Sequence, residues 1–191
     1  MRNGDTTKLK NMSLEAYIAF EERAEVRHEF NNGQLIPMPG TTDKHNDICL
    51  NLAIIFRHLL KASSCKVYME SVKVQISHRK HYTYPDIFVT CDERDQEDAY
   101  IKRYPLIIVE VASPSTKVYD KTDKFLDYRK IKSLRHYLVV DTENELVECY
   151  SRKNGNSWVS EVYFTNTDLI ALEALGINLP MSAIYDQIQT P

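Results

Sequence analysis

The chain has 191 residues, 43% of them hydrophobic and 27% charged, which suits one globular domain with a sizeable core. A net charge of −3 excludes a uniformly basic nucleic-acid coat, so any site for a polyanion has to be local. No apolar run approaches the ~18 residues of a membrane span. The polar N-terminus, MRNGDTTKLKNM, has no signal-peptide core, so no membrane association and a cytoplasmic location are expected. Residues 1–12 read as a flexible tail and 13–191 as a single domain. Cys49, Cys65, Cys91 and Cys149 are widely spaced without a C-x-x-C pair. They read as reduced, mostly core-filling thiols, with neither a zinc cluster nor a disulfide framework.

Taken in order, Ser13 as N-cap predicts a first helix over about 14–23. RHEFNNGQLIPM reads as a hairpin around Asn-Asn-Gly. Between Asp43 and Lys61, Ile48, Leu52, Ile55 and Leu59 recur at helical spacing. CKVYMESVKVQIS, YTYPDIFVT and PLIIVEVA each read as one strand, the last two joined by a solvated acidic loop, DERDQED. Ser113-Pro114-Ser115 opens a third helix that runs to about Ile131. RHYLVVD is a further strand, ELVECYSR and SWVSEVYF form a hairpin around Asn154-Gly155-Asn156, and the tail closes with short strands or a helical turn. The pattern is α/β: a central mixed β-sheet flanked by helices, with an N-terminal helix and β-hairpin.

One residue is out of place in this pattern. Leu106 to Val111 reads as a strand buried on both faces, yet it contains Glu110. An ionised carboxylate there costs several kcal/mol unless it is paired, hydrogen-bonded or bound to a cation. Asp86 opens the preceding strand of the chain, so adjacent pairing brings it to Glu110 across one face. Two such acids raise each other's pKa unless a proton or a metal ion mediates. A hard divalent ion, Mg²⁺, with Mn²⁺ as a substitute, suits oxygen ligands of this kind. The following helix presents Lys117, Lys121, Lys124 and Tyr128 at i, i+4, i+7 and i+11, one face by helical periodicity. Residues 115–135 hold seven Lys or Arg against three Asp, a local excess that points to a phosphate backbone lying over the ion.

These residues match a family. YPD, a variable loop, IIVEVASPST, D-x-x-x-K-F-x-x-Y and a strand ending VVD resemble the Uma2 family, formerly domain of unknown function 820. It lies within the PD-(D/E)XK, or restriction-endonuclease-like, nuclease superfamily. RHEFNNGQLIPM and KHNDICLNL match its N-terminal motifs, so the resemblance covers about Leu14 to Tyr185. It implies a metal-dependent endonuclease acting on DNA, with Asp86, Glu110 and the Val111 carbonyl as metal ligands. Glu29 and His45 occupy family-matched positions and join the catalytic set. The superfamily's lysine, two residues after the glutamate, is Ala112 here, so Lys124 would reach in from the next helix. Lys73, Lys117, Lys121 and Tyr128 are the expected nucleic-acid contacts, and a homodimer would supply the two sites that duplex cleavage needs. Relatives often carry acids at the places of Ser71 and His136, with Glu70 expected to point to the other face. The competing reading is therefore a nuclease-fold module that binds DNA or protein with its activity reduced or lost. A two-carboxylate glycosidase is disfavoured by the lysine face.

Overall fold

The computed structural model describes residues 11–38, 40–78, 80–154 and 156–188. Helix α1 (Leu14–Glu21) is capped by Ser13, whose side chain accepts the Ala16 N–H. Strands β1 (His28–Asn31) and β2 (Gln34–Pro37) follow, closed by Asn32 and Gly33, both at positive φ (48° and 86°). Such a pair is the requirement of a two-residue type I′ turn. Of the expected tail, residues 1–10 lie outside the described residues. Met12 donates its N–H to the Gly33 carbonyl (3.0 Å) and packs on a small cluster of Tyr17, Phe30, Leu35 and Tyr82.

After α2 (Asp43–Leu59), the stretch CKVYMESVKVQIS is two strands rather than one. Strand β3 (Lys66–Met69) belongs to a six-stranded sheet and β4 (Lys73–Ser77) to a five-stranded one. The break falls at Glu70, which adopts a positive φ of 38°. YTYPDIFVT divides in the same way, into β5 (His81–Thr83) and β6 (Ile87–Thr90), at Tyr84-Pro85-Asp86. The two sheet crossings lie side by side, joined by the Glu70 N–H to the Asp86 carbonyl (3.2 Å).

The remaining strands are β7 (Ile101–Lys102), β8 (Ile107–Ala112), β9 (His136–Asp141), β10 (Val147–Arg152), β11 (Trp158–Tyr163), β12 (Leu169–Leu172) and β13 (Ile177–Pro180). The sheet orders are β2-β1-β5-β4-β7 and β11-β10-β9-β8-β6-β3, with β12-β13 a separate ribbon before the short helix α5 (Met181–Ile184). Strand β8 is central, antiparallel to β6 and parallel to β9. Its alternation divides the core. Ile107, Val109 and Val111 pack with Ile48, Leu52 and Phe56 of α2, while Ile108 and Ala112 pack with Tyr128, Leu134 and Tyr137.

Three expectations are corrected. The third helix begins at Lys117 rather than at Ser113 and ends at Tyr128. It comprises α3 (Lys117–Tyr119), a π turn over Asp120–Lys124 and α4 (Phe125–Tyr128). Cys65 and Cys91 form a disulfide, leaving Cys49 and Cys149 as buried free thiols. Their pairing follows from the antiparallel register of β3 and β6, Lys66 opposite Thr90, which a separation of 26 residues hides. The acidic loop is not simply solvated. Asp95 is buried and accepts the Thr90 hydroxyl (2.7 Å) and the N–H groups of Arg103 (2.7 Å) and Tyr104 (3.1 Å). Among the described residues no helix is long and apolar enough to cross a membrane.

Candidate metal centre

Asp86 occupies the crossing from β5 into β6. The next pair in the ladder is Ile87 opposite Val109, so Asp86 stands beside Glu110, as strand order predicts. Its Oδ2 accepts the Val111 N–H at 2.7 Å and lies 3.4 Å from Nε2 of His45. His45 is held in the first turn of α2, where its N–H is capped by the Thr42 hydroxyl (3.2 Å) and its Nδ1 meets Cys49 Sγ at 3.6 Å. Glu110 uses both oxygens: Oε1 accepts the Tyr128 hydroxyl (2.7 Å) and Oε2 pairs with Lys124 Nζ (2.9 Å). Lys124 Nζ also lies 3.8 Å from Asp120 and 3.9 Å from Glu29 Oε1. The π turn that contains both Asp120 and Lys124 departs from regular helical spacing, a feature frequent at functional sites.

Four acids, Glu29, Asp86, Glu110 and Asp120, thus converge on one lysine and one histidine. Burial pushes Glu110 well above the usual carboxylate range, against the pull of Lys124, and the neighbouring charges of Asp86 and Asp120 add to the rise. Burial likewise raises Glu29 and Asp120 against the same lysine. For Asp86 burial works upward too, but the His45 bond, Lys124 and the Val111 N–H outweigh it and hold the carboxyl low. Lys124 and His45 are disfavoured as cations by burial, yet the surrounding acids outweigh this and raise both. Lys124 and His45 therefore face four carboxyl groups, of which Glu29, Glu110 and Asp120 are buried and Asp86 is partly exposed. One oxygen, Glu29 Oε1, is buried with no hydrogen-bond partner, on a residue that is 7% exposed. An oxygen-rich cluster with an orphaned acceptor fits a hard divalent cation.

The structure thus brings together Glu29, His45, Asp86, Glu110 and Lys124, and Val111 through its N–H. The expected nucleic-acid contacts are placed differently. Tyr128 is fully buried and hydrogen-bonded to Glu110 and Thr83, so it orients the acid and cannot touch a polymer. Lys117 and Lys121 pair with Asp141 and Glu148, on a surface apart from Lys124, because the π turn breaks the 3.6-residue face. Lys73 lies over the Tyr84 ring (5.3 Å) and, beyond the desolvation that lowers it, senses Glu21, Arg27, Asp98 and Glu22 rather than the cluster.

Three residues of the site escaped sequence reasoning. Asp120 looks like an ordinary i, i+4 partner of Lys124. Glu70, assigned to the opposite face, lies close enough to raise His45 and Cys49, because the chain turns there. Tyr119, 40% exposed, places its phenol within the field of Glu29 and Lys124. A cluster with thiol chemistry was also unforeseen: His45, Cys49 and Asp86 place one ligand atom each within 4.8 Å of one another.

His136 is not near these residues. It pairs with Ile107 at the opposite end of β8, bonds Ser151 Oγ through Nδ1 (2.9 Å) and accepts the Ala174 N–H at Nε2 (3.3 Å). Burial depresses its pKa to about 4. Above its ordinary value near 6.5 both folded and unfolded chains hold it neutral, so it contributes no pH dependence there. Below that, the unfolded chain takes a proton that the folded chain refuses until about pH 4, so acid favours unfolding across the interval. The expected loss between pH 6.5 and 4 is of the order of 2–3 kcal/mol. Denaturant melts of wild type and His136→Asn should show that the variant lacks this part of the acid slope.

Comparison with known proteins gives the family and the fold. The model of the Uma2 family, described as "Putative restriction endonuclease", matches residues 14–182. Two uncharacterized proteins of Synechocystis sp. (strain ATCC 27184 / PCC 6803 / Kazusa) are similar. One, slr1290, is 32% identical over 174 residues, covering 91% of each chain. The other, sll1609, is 29% identical over 157 residues, covering 81% of this chain and 87% of that one. A crystal structure from Anabaena variabilis ATCC 29413, described as "a putative nuclease belonging to DUF820", superposes with a TM-score of 0.76 at 18% identity. It covers 93% of this chain and 99% of that one, which shows the shared fold.

Proposed function

The chain belongs to the Uma2 family, and on that footing we propose that it is a Mg²⁺-dependent endonuclease that hydrolyses phosphodiester bonds of DNA, with Mn²⁺ able to substitute. The observation that supports this most directly is the crowding of acids: Glu29, Asp86, Glu110 and Asp120 gather around Lys124 and His45, with Glu29 Oε1 lacking a hydrogen-bond partner. Asp86 and Glu110 would hold the ion, with Glu29 and the Val111 carbonyl as further oxygens. When bound, such an ion polarises a phosphate and lowers the pKa of water.

The protein's own groups do the rest. Val111 N–H and His45 fix the orientation of the Asp86 carboxylate, and Tyr128 fixes that of Glu110. Lys124, charged and only 13% exposed at its side chain, is placed to stabilise negative charge developing on a phosphate. Tyr119, exposed and within the field of Glu29 and Lys124, offers a surface to a nucleotide. The Lys121–Glu148 pair is partly exposed on both sides, and pairs near the surface contribute only ~0–1 kcal/mol, whereas the Asp141 partner of Lys117 is buried. Lys121 can therefore exchange its carboxylate for a backbone phosphate at small cost.

The test is cleavage of supercoiled and linear DNA by purified protein with added Mg²⁺ or Mn²⁺ and with a chelator. Cleavage should appear with either ion and vanish on chelation. Cleavage that survives exhaustive chelation, or a protein that neither cleaves DNA nor binds either ion, would overturn the proposal. Ion-independent DNA binding without cleavage would instead favour the nuclease-fold binding module.

A further inference from the structure

Cys49 is unused by the chemistry above, yet its thiol lies against one of the groups that orient Asp86. Residues 45 and 49 are one helical turn apart on α2, so both side chains leave the same face toward the β5–β6 crossing. Sγ of Cys49 is 3.6 Å from Nδ1 of His45, and His45 Nε2 is 3.4 Å from Asp86 Oδ2. Two ligands of a tetrahedral zinc ion, at ~2.3 Å for sulfur and ~2.0–2.1 Å for imidazole nitrogen, stand about 3.6 Å apart. The Cys49–His45 pair already has that spacing at Nδ1, whereas Asp86 meets the other ring nitrogen, so an ion held at Nδ1 and Sγ requires Asp86 to leave Nε2. One ligand atom from each of the three residues falls within 4.8 Å of the others. Glu70, exposed at the turn that crosses the sheets, brings negative charge to both His45 and Cys49 from the solvent side.

We propose that His45, Cys49 and Asp86 form a second metal site, selective for a thiophilic divalent ion such as Zn²⁺ or Co²⁺, which shares Asp86 with the hard-cation site and excludes the hard cation when filled. A thiolate ligand selects Zn²⁺ and Co²⁺ over Mg²⁺, whose preference is for oxygen. Binding replaces the S–H bond with an S–metal bond and releases the thiol proton to the buffer, with no change of oxidation state. The exclusion belongs to the proposal: an Asp86 carboxylate bound to an ion beside Cys49 and His45 is withdrawn from an ion held with Glu110. That consequence rests on the proposed hard-cation function, whereas the thiophilic site itself does not.

Co²⁺ titration of the intact protein separates the two. Wild type should develop a thiolate-to-cobalt charge-transfer band at one ion per chain, persisting in excess Mg²⁺ and bleached by Zn²⁺. Cys49→Ser should lose the band, while Cys149→Ser, which removes the other free thiol among the described residues, should keep it. His45→Gln should weaken Co²⁺ binding about tenfold or more. Glu110→Gln, outside the trio, should keep the band. No band in wild type, or a band that survives Cys49→Ser in a protein with unchanged circular dichroism, overturns the site. The sharing of Asp86 is read by Mn²⁺ paramagnetic resonance. Zn²⁺ loading should release bound Mn²⁺, and simultaneous full binding of both ions overturns the exclusion. Failure of Mn²⁺ to bind zinc-free protein counts against the proposed hard-cation function, and the cobalt result then decides this site alone.

Discussion

Asp86→Asn and Glu110→Gln should each reduce Mg²⁺-supported cleavage by about 10²–10³-fold or more while leaving the fold intact. Each amide keeps the shape of the acid and one acceptor oxygen, so the Val111 N–H and the Tyr128 hydroxyl retain a partner. What each removes is one of the four acidic groups gathered around Lys124 and His45. In a chelator, neither variant should therefore melt much below wild type. For Glu110→Gln, Lys124 still has Asp120 at 3.8 Å and Glu29 at 3.9 Å. The diagnostic is the thermal shift on adding Mg²⁺: a clear rise in wild type and little or none in either variant, alongside the loss of cleavage. A merely structural pair would behave oppositely, with lower melting in chelator and an unchanged response to the ion. Cleavage that persists undiminished in both variants would sink the assignment.

That Asp86 and Glu110 can be named from sequence at all follows from two local facts. A glutamate inside Ile-Ile-Val-x-Val conflicts with its surroundings, and consecutive strands pair often enough for the preceding aspartate to be its neighbour. Lys124 emerges once Ala112 is seen to lack an amine. The rest of the site depends on events that leave no periodic trace. Glu70 lies in a run whose apolar residues continue on both sides, so nothing marks the positive φ that sends β3 and β4 into different sheets. The strand reading carried Glu70 to the wrong face for that reason. Asp120 was hidden by a sufficient ordinary explanation, the i, i+4 pair, since sequence cannot reveal that its carboxylate is 3% exposed. The lysine face failed because it assumed 3.6 residues per turn across a segment that makes a π turn. The Cys65–Cys91 bond was invisible because antiparallel register, not spacing, brings those sulfurs together. In each case the missing information is tertiary.

Lys124→Met has the other large expected effect, and it is on stability. Methionine keeps most of the side chain's length and apolar stem, so the packing change is small. The charge change is not: Glu29, Glu110 and Asp120 lose the cation that lies within 4 Å of all three. Stripping one partner from a buried ionic cluster costs about 3–5 kcal/mol, because the remaining charges stay buried and unpaired. The loss should depend on pH in a definite direction. These acids already sit above their usual range through burial, and removing the lysine removes the opposing pull. As pH rises from about 4.5, the unfolded chain gives up its protons freely while the folded cluster resists. The variant should therefore be near wild type at pH 5 and markedly weaker at pH 8. A divalent ion should restore part of the deficit, by about 2.7 kcal/mol at a hundredfold excess over its dissociation constant. Cleavage should stay low even then, since the ion replaces the lysine's charge within the cluster but not its reach toward a phosphate. Glu29→Gln supplies the contrast: it removes an acid whose charge burial disfavours, so it should stabilise the chelated protein while lowering its affinity for the ion. Denaturant titrations of both variants at pH 5 and 8, with and without Mg²⁺, read all of this. A Lys124→Met protein as stable as wild type at pH 8 in chelator would show that the cluster does not depend on that cation, and the crowding of acids would lose its force as the mark of a metal site.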